Sequence, residues 1–387
     1  MPMATAPGDD DDDGGGAGLL RAGPPHPPGG LLHALRALAA ALLDALVATC
    51  ARARGGGGGG GERLLVHGRA LTLTRPPLAE GGFATVFRAV DVSRQQQYAV
   101  KRLLLQEDEQ REAVRREVDA HRRFGGGVVA PLVDFSLARG PGAGQDTAYL
   151  VLPLYARGSA QDALSRALAA GSSRFFGERD VLRLLSCVAD ALARLHAGGC
   201  AHRDVCPRNV MLADDDGGGA VLIDLGSVAP ARVRIASRRD ALLLAEEAAV
   251  RSSAPYRAPE LWEPPPPPAG AGGGGGDDGG GVWVTEASDV YSLGATGYAL
   301  AFGLAPNESS PSAAGGLRIA EPSHTGALKP LAFPRAATAG GGGSGGGAPA
   351  WSPGLLRLLA ACLALEPAAR PTAQQAADAA RALLQQA

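Results

Sequence analysis

A few residues of this 387-residue chain stand out because its composition makes them rare. Of its 37 lysines plus arginines only Lys101 and Lys329 are lysine, and its only asparagines are Asn209 and Asn307. Lys101 closes the stretch YAVK, and Asn209 closes HRDVCPRN, following Asp204. A second aspartate, Asp224, follows the apolar run VLI. An aspartate set against a hydroxyl takes up its proton. A carboxylate and an amide oxygen together suit a hard divalent cation such as Mg2+. A lysine on a strand pairs with the phosphates that such a cation bridges. Together these residue types can move a phosphoryl group onto a hydroxyl.

The flanking segments fit that chemistry. LAEGGFATVF, residues 78–87, lies between two expected strands and contains Ala79, Gly81, Gly82 and Val86. Set against G-x-G-x-x-G it keeps only the middle glycine, Gly81, with Ala79 and Ala84 in the outer places. It reads either as a loop whose backbone N–H groups approach phosphates or as an ordinary hairpin turn. Glu117, in RREVDAH on a charged helix, is the natural partner of Lys101. AYLVLPLY, residues 148–155, is an apolar strand. If the phosphoryl donor is a nucleotide, Leu152 would stand behind its adenine, with Ala99 and Leu154 beside it and the backbone from Pro153 to Tyr155 as the hinge; the same residues also serve as plain core. Further along come YRAPE (256–260), SDVYSLG with Asp289, and EPAARPT, whose Arg370 is a partner for Glu260.

In this order and at these spacings the chain from about 63 to 385 resembles a eukaryotic protein kinase. LAEGGF, REVDAHRRF, AHRD, VLIDLGS and YRAPE resemble the numb-associated kinase family, particularly its small acylated branch, and Leu225 in place of the usual phenylalanine is the most telling residue. The resemblance implies an α+β bilobal protein-kinase fold: a β-rich N-lobe and hinge over 63–155 and an α-helical C-lobe over 156–385, interrupted by disordered Gly/Pro-rich insertions near 262–281 and 306–350. It implies ATP and Mg2+ (or Mn2+) as cofactors and protein Ser/Thr, occasionally Tyr, hydroxyls as acceptors. Asp204 would be the catalytic base, Lys101 the phosphate-pairing lysine, and Asn209 and Asp224 the metal ligands. Glu117, Arg203, Glu260, Asp289 and Arg370 would form structural ion pairs. The long segment from Asp224 to Glu260 is expected to hold a helix in RRDALLLAEEAAV, with Ser252 and Ser253 as candidate phosphosites and Arg203 receiving the phosphate. Members of this branch work in membrane trafficking at the Golgi, which implies a cytoplasmic protein in peripheral contact with endomembranes. Acylated relatives begin Met-Gly, whereas this chain opens MPMATAPG, so N-myristoylation is not expected.

One catalytic-loop position departs from the pattern. Cys206 stands where a serine/threonine kinase keeps the lysine that steadies the γ-phosphate. A neutral thiol cannot offset that charge, and losing one such contact costs on the order of 10²–10³ in rate. One reading is therefore an ATP-binding pseudokinase that acts as a scaffold. The other relies on Arg208, in the position of the arginine of the tyrosine-kinase motif H-R-D-L-A-A-R-N, whose long forked guanidinium reaches the same region. Arg208 also reads as one of many solvent-facing arginines.

The elements that must position these groups follow from pattern and composition. Val-, Leu-, Phe- and Thr-rich runs broken by glycine read as strands from residue 63 to 105, and helices follow at 107–124 and 179–199. Gly 56 and Pro 29 concentrate in runs with no side chains to build a core, which marks linkers and insertions. Residues 1–30, with the acidic run Asp9 to Asp13, read as a disordered tail, and 55–62 as a glycine linker. Between them, residues 31–54 form an amphipathic helix with Leu31, Leu35, Leu38, Leu42 and Leu46 on one face. Internal Arg36 and Asp44 make it a poor membrane span; it suits packing on the domain or peripheral membrane contact through 31–52, with Cys50 as an acylation candidate. The net charge of −2 and the lack of a basic stripe argue against nucleic acid as partner. The five scattered cysteines suit free thiols, and no feature specifies an oligomeric state.

Overall fold

The computed structural model describes residues 62–81, 84–140, 146–171, 176–213, 219–266, 281–306, 308–311, 317–319, 333 and 351–386. The expected tail, the amphipathic helix, nearly all of the glycine linker, most of both insertions and Gly82 lie outside these residues.

The first lobe is one antiparallel sheet of six strands: β1 (Glu62–Val66), β2 (Arg69–Glu80), β3 (Ala84–Asp91), β4 (Gln97–Leu105), β5 (Asp134–Ala138) and β6 (Asp146–Pro153), in spatial order β1-β2-β3-β4-β6-β5. Alternation along a strand sends successive side chains to opposite faces. In β4 this buries Tyr98 and Val100 against Leu71, Leu73, Phe87 and Val151. It leaves Ala99 and Lys101 on the other face, where Val86 stands opposite Lys101 and Leu152 opposite Ala99. The strand expected over 148–155 runs instead from 146 to 153 and ends at Pro153.

Helix α1 (Asp108–Phe124) packs beneath the sheet. A capping box between Glu107 and Gln110 starts it. Acidic Asp108 and Glu109 in its first turn and His121, Arg122 and Arg123 in its last complement the helix dipole. Its buried stripe, Val114, Glu117, Val118, His121 and Phe124, follows the helical period and carries one carboxylate inward with the apolar residues.

The second lobe is helical: α2 (Ala160–Ala169), α3 (Glu178–Ala197), α4 (Arg238–Arg251), α5 (Ala287–Phe302), α6 (Pro353–Cys362) and α7 (Ala373–Gln386). Its core forms around α3, through Val181, Leu182, Leu185, Val188, Leu192 and Leu195. Against it lies the small-residue face of α7, Ala373, Ala376, Ala377 and Ala380, whose lack of bulk lets the two helices approach closely. Gly198, which caps α3, meets α1 at a place where a Cβ would stand 2.4 Å from the Phe124 ring. Any larger residue there would push the two elements apart. Short ribbons complete the lobe: β7 (Cys200–Ala201) pairs with β10 (Ala229–Pro230), β8 (Val210–Leu212) with β9 (Ala220–Leu222), and β11 (Val233–Ile235) with β12 (Val282–Val284). Helix α4 occupies the segment between Asp224 and Glu260, in RRDALLLAEEAAVR.

Glu260 and Arg370 meet as a two-pronged pair, Nη1 to Oε1 at 2.6 Å and Nη2 to Oε2 at 2.9 Å. The Arg370 side chain is wholly buried and also donates to the carbonyls of Ala287, Ala364 and Leu365. Removing one partner strands a charge in the interior, which costs about 3–5 kcal/mol. Glu260→Gln is expected to lower the urea-unfolding free energy by that amount, and Glu260→Leu/Arg370→Met to recover much of it.

Candidate active site

The loop that carries Asp204 is held by a buried carboxylate. Asp289, at the start of α5 and 1% exposed, accepts the backbone N–H of His202 through Oδ2 at 2.7 Å and that of Arg203 through Oδ1 at 2.8 Å. His196 Nε2 reaches the same carboxylate at 2.9 Å. Burial alone would raise the Asp289 pKa, but the His196 hydrogen bond and the charges of His196, Arg203 and His202 bring it below the usual value. These bonds hold Arg203 at φ 67°, in the left-handed region that non-glycine residues seldom adopt.

Two further groups aim Asp204. The Asn209 amide donates to its carbonyl oxygen at 2.8 Å and to Oδ2 at 2.9 Å, while the Ser253 N–H donates to Oδ1 at 2.7 Å. Burial outweighs the lowering effect of those Ser253 contacts, so the Asp204 pKa is raised. A carboxylate fixed from both sides and more basic than usual is suited to receive a hydroxyl proton.

Lys101 joins three elements. Its ammonium donates to Glu117 of α1 at 2.6 Å and to Asp224 at 2.9 Å. Burial by itself would push the lysine down, but the Asp224 and Glu117 charges reverse this and raise its pKa. The Lys101 charge in turn holds Asp224 ionised, down to about 2. Asp224 sits at φ 61° and also accepts the Gly226 N–H. A hard divalent ion would find here a charged carboxylate oxygen on Asp224 and the amide oxygen of Asn209, whose NH₂ end is turned to Asp204. Among the described residues no cluster of three or more His, Cys, Asp or Glu could cage a metal alone. That donor set fits Mg2+, which keeps few protein ligands and completes its shell with phosphates and water.

The cleft face of the sheet carries Ala79, Val86, Ala99, Lys101 and Leu152, joined by register. Val86, Ala99, Leu152 and Leu154 are half-buried, and Ala79 and Gly81 are exposed. The Gly81 N–H donates to Ala84 O at 2.7 Å, closing the turn between β2 and β3.

Cys206 is 1% exposed, and burial followed by the Asp204 charge pushes its thiol up to about 12, so it is a neutral group. The Ser253 hydroxyl lies between it and Arg208, 3.4 Å from Cys206 Sγ and 3.3 Å from Arg208 Nη2. Arg208 itself is exposed. Arg203, expected to receive a phosphate carried by Ser252 or Ser253, bonds elsewhere in this structure. Its guanidinium, drawn inward with the loop, donates to Ser288 Oγ at 2.9 Å and Pro230 O at 3.0 Å. Arg257 instead holds Ser252, at Oγ (2.7 Å) and at the carbonyl (3.0 Å). A phosphate on Ser253 would stand against the Asp204 carboxylate. Sequence reasoning missed His196, Arg257, Ser288 and Ser227, whose hydroxyl donates to Arg251 O at 2.7 Å and ties the DLGS turn to the end of α4. Arg257, Ser288 and Ser227 carried a local signal, their places within YRAPE, SDVYSLG and DLGS; His196 carried none.

Asp204 must be ionised to take a proton, and its pKa is raised from the ordinary 3.8. The acid limb of the kcat/KM profile for phosphoryl transfer is therefore expected above pH 3.8, and Asp204→Asn is expected to remove turnover at every pH.

Residues 74–380 match the family model described as protein kinase domain. The chain is 36% identical to human serine/threonine-protein kinase 16 over 229 residues, covering 59% of this chain and 68% of that one. It is 25% identical over 331 residues to serine/threonine-protein kinase ppk13 of Schizosaccharomyces pombe, covering 77% and 86% of the two chains. It is also 25% identical over 354 residues to serine/threonine-protein kinase ENV7 of Saccharomyces cerevisiae, covering 77% and 88%. With a β-sheet lobe, a helical lobe, the Lys101–Glu117–Asp224 cluster between them and these relatives, the chain belongs to the protein kinase family and is an enzyme of the serine/threonine type.

Proposed function

We propose that this kinase transfers the γ-phosphate of ATP to serine and threonine hydroxyls of proteins, with tyrosine as a further acceptor, and that Arg208 supplies the cation its catalytic loop lacks at Cys206. The observation that carries this reading is the Lys101 ammonium at 2.6 Å from Glu117 and 2.9 Å from Asp224, the arrangement that pairs phosphates and places a metal-binding carboxylate beside them. Asp204 accepts the acceptor's proton, held by Asn209 and Ser253. Asn209 and Asp224 would hold Mg2+, which when bound neutralises the phosphate oxygens. Val86, Ala99, Leu152 and Leu154 would enclose the adenine. Arg208 donates to the Ser253 hydroxyl, which also lies against Cys206, and the Ser253 backbone N–H donates to the Asp204 carboxylate. The alternative of a nucleotide-binding scaffold draws on the buried neutral thiol of Cys206 alone. We place the protein in the cytoplasm, with peripheral endomembrane contact through residues 31–52.

Transfer of labelled γ-phosphate from MgATP to a mixture of serine, threonine and tyrosine peptides tests this, with Asp224→Ala as the blank. Label on serine and threonine well above the blank is expected. Wild-type incorporation equal to the blank, with nucleotide binding retained, would establish the scaffold instead.

A further inference from the structure

The segment that leads into α4 carries a concentration of charge that the catalytic site does not use. Arg232, Arg234, Arg238 and Arg239 fall within RVRIASRR and are all exposed. The pairing of β11 with β12 explains the outward turn of one of them. Val233, Ile235 and Val284 face Leu244 and Ala248 of α4 in a small core. Alternation therefore sends Arg234 and its cross-strand partner Trp283 to the opposite face, where Trp283 is 54% exposed. Among the described residues, two acidic groups lie close to the patch. The Asp240 carboxylate caps the helix, accepting from the backbone of Ala236 and Ser237, and Glu286 lies 3.6 Å from Arg232. One turn into the helix, Leu242 and Leu243 are 56% and 52% exposed, three and four residues beyond Arg239 on the same side. The patch thus pairs arginines with an indole and two leucines.

We propose that this ribbon and helix start dock an acidic segment of the protein substrate that also carries apolar side chains. The proposal rests on the kinase reading above and adds a substrate class to it. Opposite charge supplies the attraction and the arginine forks the carboxylate recognition, while Trp283, Leu242 and Leu243 receive the apolar residues. The position of the patch favours a substrate over a lipid surface. The far end of α4 leads through Ser252 to Ser253, which is bonded to Asp204. A rigid helix of 14 residues, about 21 Å long, therefore separates the patch from the acceptor site. An extended peptide covers that span in roughly six residues. The acidic segment is accordingly expected at least that far from the acceptor hydroxyl.

Two labelled serine peptides test this, identical except that one carries an Asp/Glu tract about six to ten residues from the acceptor and the other a Gln/Asn tract. Binding is read by fluorescence anisotropy on the full chain and on Asp224→Ala, and KM and kcat on the full chain. The acidic peptide is expected to bind about tenfold more tightly and to show a lower KM at similar kcat, with the gap closing in high salt. Arg234→Gln/Arg238→Gln/Arg239→Gln, which removes the charge and leaves polar side chains, is expected to remove the preference. Equal binding of the two peptides, a preference that survives the triple substitution, or capture of phosphatidylserine vesicles in place of the acidic peptide would overturn the proposal. Binding preference without phosphorylation of either peptide would uphold the docking site and reject the kinase reading, because anisotropy needs no turnover.

Discussion

The ammonium of Lys101 between two carboxylates is the interaction on which the rest of the structure depends. A lysine charge drawn out of water is costly unless it is paired. Here the pairs come from a sheet strand, helix α1 and the turn at Asp224, so the charge is satisfied only when all three elements are in place. Lys101, the residue proposed to pair with the phosphates, thus also reports whether the cleft is assembled. The same charge keeps Asp224 ionised, as a metal ligand must be.

A second buried charge does comparable work in the helical lobe. Asp289 holds two consecutive backbone N–H groups and a histidine, and so maintains the left-handed conformation at Arg203 that turns the catalytic loop toward the cleft. Ser253 then ties the activation segment to Asp204, and Arg257 and Ser227 fix that segment on either side. The segment is held by neutral hydroxyls, backbone groups and two arginines, Arg257 and Arg208. Arg203 is occupied by Ser288 and backbone carbonyls, which leaves it little freedom to receive a phosphate from the segment.

Much of this was legible in the sequence because scarce residue types mark it. In a chain so rich in arginine, alanine and glycine, Lys101 and Asn209 stand out, and the apolar runs before Asp224 and around Lys101 announce the strands that carry them. The paired Glu260 and Arg370 could be matched because each lies in a short recognisable stretch. What stayed hidden depends on contacts distant in sequence or on weak local patterns. The role of His196 appears only when α5 is packed beside α3. The destination of the Arg203 guanidinium likewise depends on Ser288, which lies far along the chain.

The departure at Cys206 bears on the role proposed for Arg208. A buried thiol cannot carry charge, yet an exposed guanidinium stands across a single serine hydroxyl from it, and the backbone N–H of that serine donates to Asp204. We propose that a cation serves the same region from a backbone position two residues later. The most direct test is the single-turnover rate of phosphoryl transfer at saturating MgATP for the wild type, Arg208→Ala, Cys206→Lys and the double variant. The account predicts a loss on the order of 10²–10³ for Arg208→Ala and recovery when Cys206→Lys is added. An unchanged rate in Arg208→Ala, or a wild type that transfers phosphate only after Cys206→Lys, would contradict it.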